Sequence, residues 1–363
     1  MNREKITKVD AIIITNGYLA TSDAKTAHGL IRGSERFNIV GVIDPMHAGQ
    51  DAGEVLDGIF RGIPVVASIK TFADKIHANA THCIIGVALH GGRLPEEWRP
   101  MVLEALEQKM TIVNGLHQPL GDDPFFRKAA DRNGAAIIDI RKPGTFDQLP
   151  FWTGDIFNVK ATTLAVLGMD CAIGKRTTCR FILDMCRANG IRTEMIYTGQ
   201  TGWMQGYPYG FILDATPNDF IPGEIEKAIV TCDREASPDL ILLEGQSSLR
   251  NPFGPCGSEF LISGNVKGVI FQHAPFRTFF EDLEKMGCRL PEVEDEIKLM
   301  EMYGAKTLAV TLNGDGGDSE GLATYQKELS GKLQIPVIRP LEEGVEVLLA
   351  DIRQFIEIRR HTT

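Results

Sequence analysis

The stretch LAVLGMDCAIGKRTT, residues 164–178, decides the fold of the second half of the chain. An apolar run leads into Gly168, and Gly174 and Lys175 then open an amphipathic segment. Backbone N–H groups at such a helix start converge on a phosphate, the lysine adds charge, and the glycines allow close approach. The stretch therefore predicts a phosphate-binding loop, or P-loop. The competing interpretation is a glycine-rich turn with an ordinary exposed lysine.

The loop departs in two ways from the standard pattern G-x-x-x-x-G-K-[ST]. Five residues instead of four separate Gly168 from Gly174, and Arg176 stands where a hydroxyl residue usually holds Mg²⁺. Either Thr177 or Thr178 takes that role, or no metal is held here. The longer spacing, with Asp170 inside the loop, resembles that of dethiobiotin synthetase and related enzymes, which implies ATP with Mg²⁺ as one candidate ligand.

Short apolar runs alternate with longer amphipathic stretches on both sides of this loop. Such alternation is typical of a parallel sheet with helices on both faces. We therefore expect an α/β protein of two doubly wound parallel-sheet domains, the first Rossmann-like and the second like a P-loop NTPase. The polar and aromatic segment KPGTFDQLPFWTGD (142–155) breaks the alternation and marks the joint, so the expected domains are residues 1–150 and 151–363.

The predicted strands of the first half are Val9–Thr15, Asn38–Ile43, Pro64–Ala67, His82–Val87, Thr111–Asn114 and Ala135–Ile140. Those of the second half are Ala161–Leu167, Thr193–Thr198, Leu240–Glu244, Gly268–Gln272, Thr307–Leu312 and Val337–Ile338. The predicted helices include Pro95–Lys109, Pro124–Asn133, Lys175–Asn189, Glu224–Asp233, Glu292–Tyr303, Glu320–Leu333 and Glu342–Ile358.

Composition limits the partners. The 363 residues carry a net charge of −10 and no basic run, which argues against nucleic acid or an anionic membrane as the main partner. No apolar run approaches the roughly 20 residues that span a bilayer. The 7 cysteines are scattered without a C-x-x-C pair, so no zinc site or disulfide framework is indicated. We expect a cytoplasmic homo-oligomer that acts on a small molecule.

Polar segments follow the predicted strands of the second half, where open α/β sheets bind their ligands. Glu244 ends an apolar strand and is followed by glycine, as in P-loop folds whose strand-tip carboxylate faces phosphates and metal. Further candidates in such positions are Gln200, Thr201, Gln246, Arg250, His273 and Asn313. Asn313 stands where nucleotide-binding relatives read an adenine edge. Each of these segments could equally be a solvated turn.

The first half has no G-x-G-x-x-G motif, but it has charged groups just past its strands. Arg93 and Arg141 could clamp a carboxylate in a fork geometry, with structural ion pairs as the alternative. Lys25 lies at the start of the first helix and His117 in the segment NGLH. Asp44 ends the second strand and is a weaker candidate for binding a ribose.

Eight motifs together resemble one family: DAKTAHGL (23–30), GGRLP (91–95), NGLH (114–117), DIRKP (139–143), GMDCAIGKRTT (168–178), TGQTG (198–202), PNDF (217–220) and EGQSSLRNP (244–252). That family was long catalogued as a domain of unknown function, with a Rossmann-like N-terminal and a P-loop C-terminal domain. One of its members is assigned as a D-glutamate N-acetyltransferase. The resemblance implies acetyl transfer from acetyl-CoA to the amine of an acidic amino acid.

On this hypothesis the groups that hold coenzyme A are Gly168, Asp170, Gly174, Lys175, Arg176, Thr177, Thr178, Gln200, Thr201 and Asn313. The substrate-binding candidates are Lys25, Arg93, His117, Arg141, Gln246 and Arg250. Because the attacking amine must lose a proton, Glu244 or His273 is the candidate base. An ATP-dependent kinase or ligase is the alternative, and a nucleotide-sensing protein without turnover a third. Lys175→Ala is expected to weaken ligand binding and to leave folding almost unchanged.

Overall fold

In the computed structural model, which describes residues 8–76 and 79–360, the apolar runs form two sheets whose paired strands all lie parallel. Contacts group the described chain into two compact units. One comprises the residues up to Gly144 together with Gly199–Tyr207, and the other comprises Thr145–Thr198 together with the residues from Pro208 onward. The two-domain α/β fold is confirmed, with one segment of the second half belonging to the first unit.

The first unit is built on a six-stranded sheet of order β3-β2-β1-β4-β5-β6. Its strands are β1 (Val9–Ile14), β2 (Phe37–Ile43), β3 (Val65–Val66), β4 (His82–Ile85), β5 (Thr111–Asn114) and β6 (Ile137–Asp139). Its helices are α1 (Lys25–Ile31), α2 (Ala52–Asp57), α3 (Ile69–Lys75), α4 (Arg99–Glu107), α5 (Pro124–Asn133) and α7 (Gln200–Gln205). The chain reverses its direction of winding between β1 and β4, the place where such sheets bind ligands.

The second unit is built on a seven-stranded sheet of order β13-β12-β11-β7-β10-β8-β9. Its strands are β7 (Thr162–Gly168), β8 (Thr193–Tyr197), β9 (Tyr209–Gly210), β10 (Leu240–Glu244), β11 (Gly268–His273), β12 (Lys306–Leu312) and β13 (Val337–Ile338). Its helices are α6 (Lys175–Ala188), α8 (Ile221–Ala236), α9 (Ser258–Ile262), α10 (Val293–Met302), α11 (Ser319–Leu333), α12 (Pro340–Glu343) and α13 (Leu349–Arg360).

Strand β7 lies at the centre of this sheet, hydrogen-bonded to β10 on one side and to β11 on the other. Its apolar residues Leu164, Val166 and Leu167 are buried, which is why the sequence shows a continuous apolar run instead of an alternating one. Burial on both faces fixes the strand firmly. The carboxyl end of β7, where the predicted phosphate loop begins, is therefore held between two neighbouring strands.

Two predicted features of this unit differ from the structure. The helix predicted over Glu342–Ile358 is wrong as one element, because Gly344 takes a left-handed φ of 75° after α12 and the chain starts again as α13. The two-residue strand β9 was not predicted. Among the described residues, no helix combines the length and apolar character required to cross a membrane.

Candidate functional site

The loop between β7 and α6 has the backbone that a phosphate cradle requires. Gly174 precedes α6 with a φ of 99°, and Ala172 also has a positive φ, of 54°. A Cβ on Gly168 would lie 2.7 Å from the carbonyl oxygen of Gln272, so a larger residue there would push the loop away from β11. Within the described chain, no side chain caps the start of α6. Its first-turn N–H groups and its positive dipole end therefore suit an anion.

Lys175 is buried in this loop, with 6% of its surface exposed. Its Nζ donates hydrogen bonds to the carbonyl oxygens of Asp170 and of Ser247, the latter at 2.8 Å. Burial lowers the pKa of this amine, although nearby Cys171 and Asp170 oppose the shift. The expectation that Lys175→Ala leaves folding unchanged assumes a solvated side chain, and the structure contradicts that assumption, because the buried side chain ties the loop after β7 to the loop after β10.

Asp170 holds the loop in shape from inside. Its Oδ1 accepts hydrogen bonds from the backbone N–H of Cys171 at 2.7 Å and from Asn251 Nδ2 at 3.1 Å. Its Oδ2 accepts from Arg277 at 2.9 Å and from the backbone N–H of Glu281 at 2.7 Å. The side chain is fully buried. We conclude that Asp170 organises the cradle through protein donors.

Arg277 is a residue of the site that sequence reasoning missed. Its guanidinium donates to Asp170 and to the carbonyl oxygen of Cys171, both at 2.9 Å, and pairs with Glu281 at 2.7 Å. It therefore anchors the segment after β11 to the phosphate loop. In the sequence, Arg277 is marked only by its position after a predicted strand and by a glutamate four residues later. That pattern is too common to identify a site residue.

The strand-tip carboxylate lies where the sequence predicts. Glu244, at the end of β10, is 4% exposed, and its Oε1 lies 3.9 Å from Arg176 Nη1. The backbone N–H of Thr198 donates to its Oε2 at 3.3 Å. Burial is the largest influence on the Glu244 carboxyl and raises its pKa, which Arg176 and Lys175 partly offset.

The two threonines of the loop differ in surroundings. Thr178 is buried, and its hydroxyl donates to Gln272 Oε1 at 2.6 Å. The same oxygen accepts the hydroxyl of Thr311, also at 2.6 Å. Thr178 thus ties α6 to β11 and β12 from a buried position. Thr177 is only half-buried.

His273, at the end of β11, is buried beside Tyr325, whose hydroxyl lies 3.0 Å from Nε2. Its Nδ1 has no hydrogen-bond partner within the part of the chain that the structure describes. Burial lowers the pKa of His273 to about 4. The ring is therefore neutral near pH 7 and is a weaker base than free histidine.

Two predicted ligand-binding residues have partners within the protein. Arg250 pairs through its Nε with the buried carboxylate of Glu296, and its side chain is otherwise exposed, so its role in substrate binding stays a prediction. Asn313 donates from Nδ2 to the carbonyl oxygen of Ile173 at 2.9 Å and accepts from the N–H of Asp315. Asn313 therefore supports the phosphate loop, and its contact with an adenine edge stays a prediction. Such pairing cannot be deduced from strand-end position alone.

Gln246 lies in the loop after β10, and its Nε2 donates to the Thr198 hydroxyl at 3.1 Å. That hydroxyl in turn donates to the carbonyl oxygen of Glu244 at 2.8 Å. Gln246 is half-buried and lies next to Ser247, the residue whose carbonyl oxygen accepts Lys175. The structure thus brings Gln246 to the edge of the phosphate loop.

All residues of the motif TGQTG except Thr198 belong to the first unit. Gln200 and Thr201 open α7, which packs beside α1. The hydroxyls of Thr26 and Thr201 lie 3.2 Å apart, and Gln200 Oε1 accepts from Arg141 Nη2 at 2.9 Å. These two residues were predicted to hold a cofactor in the P-loop domain, but their described contacts are with the Rossmann-like unit.

The same part of the first unit collects its other predicted residues. Arg141 Nη1 donates to the carbonyl oxygen of Gly115 at 2.7 Å, which fixes the guanidinium at the end of β5. The ring of His117 packs on Gly92, where a Cβ would approach it to 2.4 Å. Arg93 is exposed, and Lys25 begins α1 beside Thr26. Three of the motifs quoted from the first half therefore meet at the carboxyl edge of this sheet.

Asp44 has no capacity left for a ribose. Its carboxylate accepts the Thr15 hydroxyl at 2.7 Å and the backbone N–H groups of Gly17 and Leu19. Its other oxygen, Oδ1, is hydrogen-bonded to the backbone N–H of Met46 and to the ring of His47. Burial would raise the pKa of Asp44, but these hydrogen bonds together hold it below its ordinary value.

A phosphate loop on the central strand of a parallel sheet defines the second unit as a P-loop domain, joined here to a Rossmann-like unit. The chain belongs to the DUF1611 family, a domain of unknown function. The model of the family's P-loop domain matches residues 150–349, and that of its Rossmann-like domain matches residues 45–143. The resemblance inferred from the sequence motifs is confirmed.

Two curated relatives carry the name D-glutamate N-acetyltransferase. The one from Tritonibacter scottomollicae is 29% identical over 76% of this chain and 81% of its own length. The one from a Pseudoalteromonas species is 27% identical over 74% of this chain and 80% of its own. A crystal structure of a DUF1611 family protein from Anabaena variabilis is 26% identical, with a TM-score of 0.84 over 96% of this chain and all of that one. The curated relatives support acetyltransferase as the general class.

Proposed function

We propose that the protein transfers the acetyl group of acetyl-CoA to the amine of an acidic amino acid, with D-glutamate as the first candidate. The observation that carries the proposal is the phosphate cradle of the second unit, in a chain similar over three quarters of its length to proteins named D-glutamate N-acetyltransferase. Coenzyme A contains a 3′-phospho-ADP group, so a phosphate loop is a suitable place to hold it.

The fit of coenzyme A rests on the donors of the loop. The first-turn N–H groups of α6 have no side-chain cap in the described chain, and Lys175 brings a buried amine to the same loop. The Lys175 ammonium has three N–H donors, of which the carbonyl oxygens of Asp170 and Ser247 accept two, so the third can donate to a phosphate oxygen. A charge-assisted hydrogen bond of that kind is stronger than one between neutral groups.

The acidic amino acid fits the first unit. Its carboxylates require cationic or donor groups, and Arg141 supplies a guanidinium that Gly115 and Gln200 hold in a fixed orientation. A planar fork of this kind binds carboxylates in two-point fashion. We assign Arg141 to recognition of the amino acid. Lys25 is assigned the same role, because it precedes Thr26, whose hydroxyl lies beside that of Thr201.

The amine attacks only after it has lost a proton, and Glu244 is the better candidate for the base. Its raised pKa makes it more basic than an ordinary glutamate, and it ends a strand beside the phosphate loop. His273 is less suited, because its pKa is lowered to about 4 and its Nε2 contacts Tyr325.

The test is to incubate the purified protein with acetyl-CoA and a panel of D- and L-amino acids, and to follow free thiol. Release with an acidic amino acid, together with an N-acetylated product by mass spectrometry, is the expected result. A matched panel with ATP and Mg²⁺ should release no phosphate. Phosphate release with a carboxylate substrate, and no thiol release, would favour the ATP-dependent ligase instead.

A further inference from the structure

The two positions that hold Mg²⁺ in P-loop NTPases do not form a metal site in this chain. Those enzymes bind the ion through a hydroxyl that follows the loop lysine and through an acidic residue on a neighbouring strand. Here the first position is Arg176 and the second is Glu244, and their charged groups face each other at 3.9 Å. A guanidinium therefore stands beside the carboxylate that would otherwise hold a cation.

Other oxygen atoms of the loop do not replace the missing ligand. Asp170 accepts four hydrogen bonds from protein donors and is fully buried. Thr178 is buried, and its hydroxyl points to Gln272 of β11, the residue that also accepts a threonine hydroxyl from β12. Thr177 follows Lys175 by two positions on α6, which places it roughly 200° further around the helix axis. The residues present do not fit Mg²⁺ coordination.

We propose that Arg176 replaces the divalent ion, so that the phosphate loop binds a diphosphate ester without any metal. The inference rests on the proposed function only for the identity of the ligand, coenzyme A. An arginine is always protonated and presents a fork of N–H donors that matches phosphate oxygens. It can therefore supply both the charge and the geometry that Mg²⁺ supplies elsewhere.

The charges of the loop favour a diphosphate over a triphosphate. A diphosphate diester carries about one negative charge per phosphate. Lys175 and Arg176 offer two positive charges against it, with Glu244 opposing them. A nucleoside triphosphate carries about twice the charge of a diphosphate diester and normally brings Mg²⁺ to neutralise it. Without a metal site, the loop is better matched to the diphosphate of coenzyme A than to ATP.

The test is calorimetric titration of coenzyme A and of ATP into the full chain, once in EDTA and once in Mg²⁺. The wild-type protein should bind coenzyme A with the same affinity in both buffers. Arg176→Thr, which restores the standard G-K-T sequence, should weaken coenzyme A binding in EDTA by about ten- to a hundredfold. It should also make the binding of ATP dependent on Mg²⁺.

The matched control is Arg180→Thr, one turn further along α6, where the arginine pairs with Asp184 at 3.8 Å. This variant should bind coenzyme A as the wild type does. The proposal is overturned if wild-type binding of coenzyme A requires Mg²⁺, if neither ligand binds, or if Arg176→Thr retains full affinity in EDTA. Should Arg176→Thr fail to fold, the wild-type titrations in EDTA and in Mg²⁺ still test whether the loop binds coenzyme A without a metal.

The two proposals fail separately. Binding of coenzyme A in EDTA without acetyl transfer to any amino acid would contradict the acetyltransferase and leave the role of Arg176 intact. Acetyl transfer that stops in EDTA and returns with Mg²⁺ would contradict the role of Arg176 and leave the acetyltransferase intact.

Discussion

The substitution Lys175→Ala tests whether Lys175 binds phosphate or is an ordinary lysine at the start of a helix. The substitution removes two hydrogen bonds from a charged donor, to the carbonyl oxygens of Asp170 and Ser247. Each such bond contributes about 1.5–3 kcal/mol, but the cost of burying the ammonium group opposes that gain. We expect a net loss of about 1–3 kcal/mol in the free energy of unfolding. In a domain of this size that lowers Tm by roughly 2–12 °C.

The substitution should also weaken ligand binding, and this loss can be measured separately from the loss of stability. Loss of one charge-assisted contact to a phosphate weakens binding of coenzyme A by about ten- to a hundredfold. Calorimetry at a temperature well below the lowered Tm measures this on folded protein. Lys175→Met keeps most of the apolar stem without the charge, so it should lose the same affinity with less loss of stability.

The matched control is Lys160→Ala. Lys160 is exposed and lies just before β7, at the opposite end of the strand from the phosphate loop. The substitution Lys160→Ala changes the net charge by the same amount as Lys175→Ala and should alter neither Tm nor affinity for coenzyme A. If folded Lys175→Ala bound coenzyme A and ATP as tightly as the wild type, the loop would not be an anion cradle, and the assignment of the site would be refuted.

Four further outcomes follow from the site. Glu244→Gln should remove the acidic limb of kcat/KM against pH, a limb whose midpoint in the wild type lies above the ordinary glutamate pKa of 4.5; an unchanged profile would exclude Glu244 as the base. His273→Gln should flatten the pH dependence of unfolding. The folded pKa of about 4 lies below the ordinary 6.5, so the wild type loses stability as pH falls between those values, by up to about 3 kcal/mol; equal slopes in wild type and variant would contradict this. Arg141→Ala should raise KM for the amino acid about tenfold and leave KM for acetyl-CoA unchanged, and equal effects on both would place Arg141 elsewhere. Bound coenzyme A should slow alkylation of Cys171, which is partly exposed in the loop, while Cys288 reacts at the same rate; failure of protection would place the ligand elsewhere.

The sequence was sufficient for the fold because both sheets are parallel. Strands buried on both faces read as continuous apolar runs, and β5 and β10 were predicted with their observed limits. The P-loop could be located because its glycines and lysine lie together between a strand and a helix. Strand β9 was missed because Tyr209–Gly210 lies in a segment rich in glycine and aromatic residues, whereas the equally short β3 and β13 consist of apolar β-branched residues.

The contacts that the sequence did not predict share one physical reason, namely that the partners lie far away in sequence. Nothing local shows that Arg250 neutralises Glu296 or that Asn313 holds the carbonyl of Ile173. The burial of Lys175 depends on Ser247, 72 residues later. The segment Gly199–Tyr207 similarly continues from a strand of the second unit, but its contacts are with the first.

The most direct test of the account is release of coenzyme A thiol by the wild-type protein, with Lys160→Ala and Lys175→Met measured in parallel. The account predicts thiol release from acetyl-CoA with an acidic amino acid, retained by Lys160→Ala and strongly reduced at low acetyl-CoA by Lys175→Met. No release above background with any acidic amino acid, from a protein that is folded by its melting curve, would contradict it.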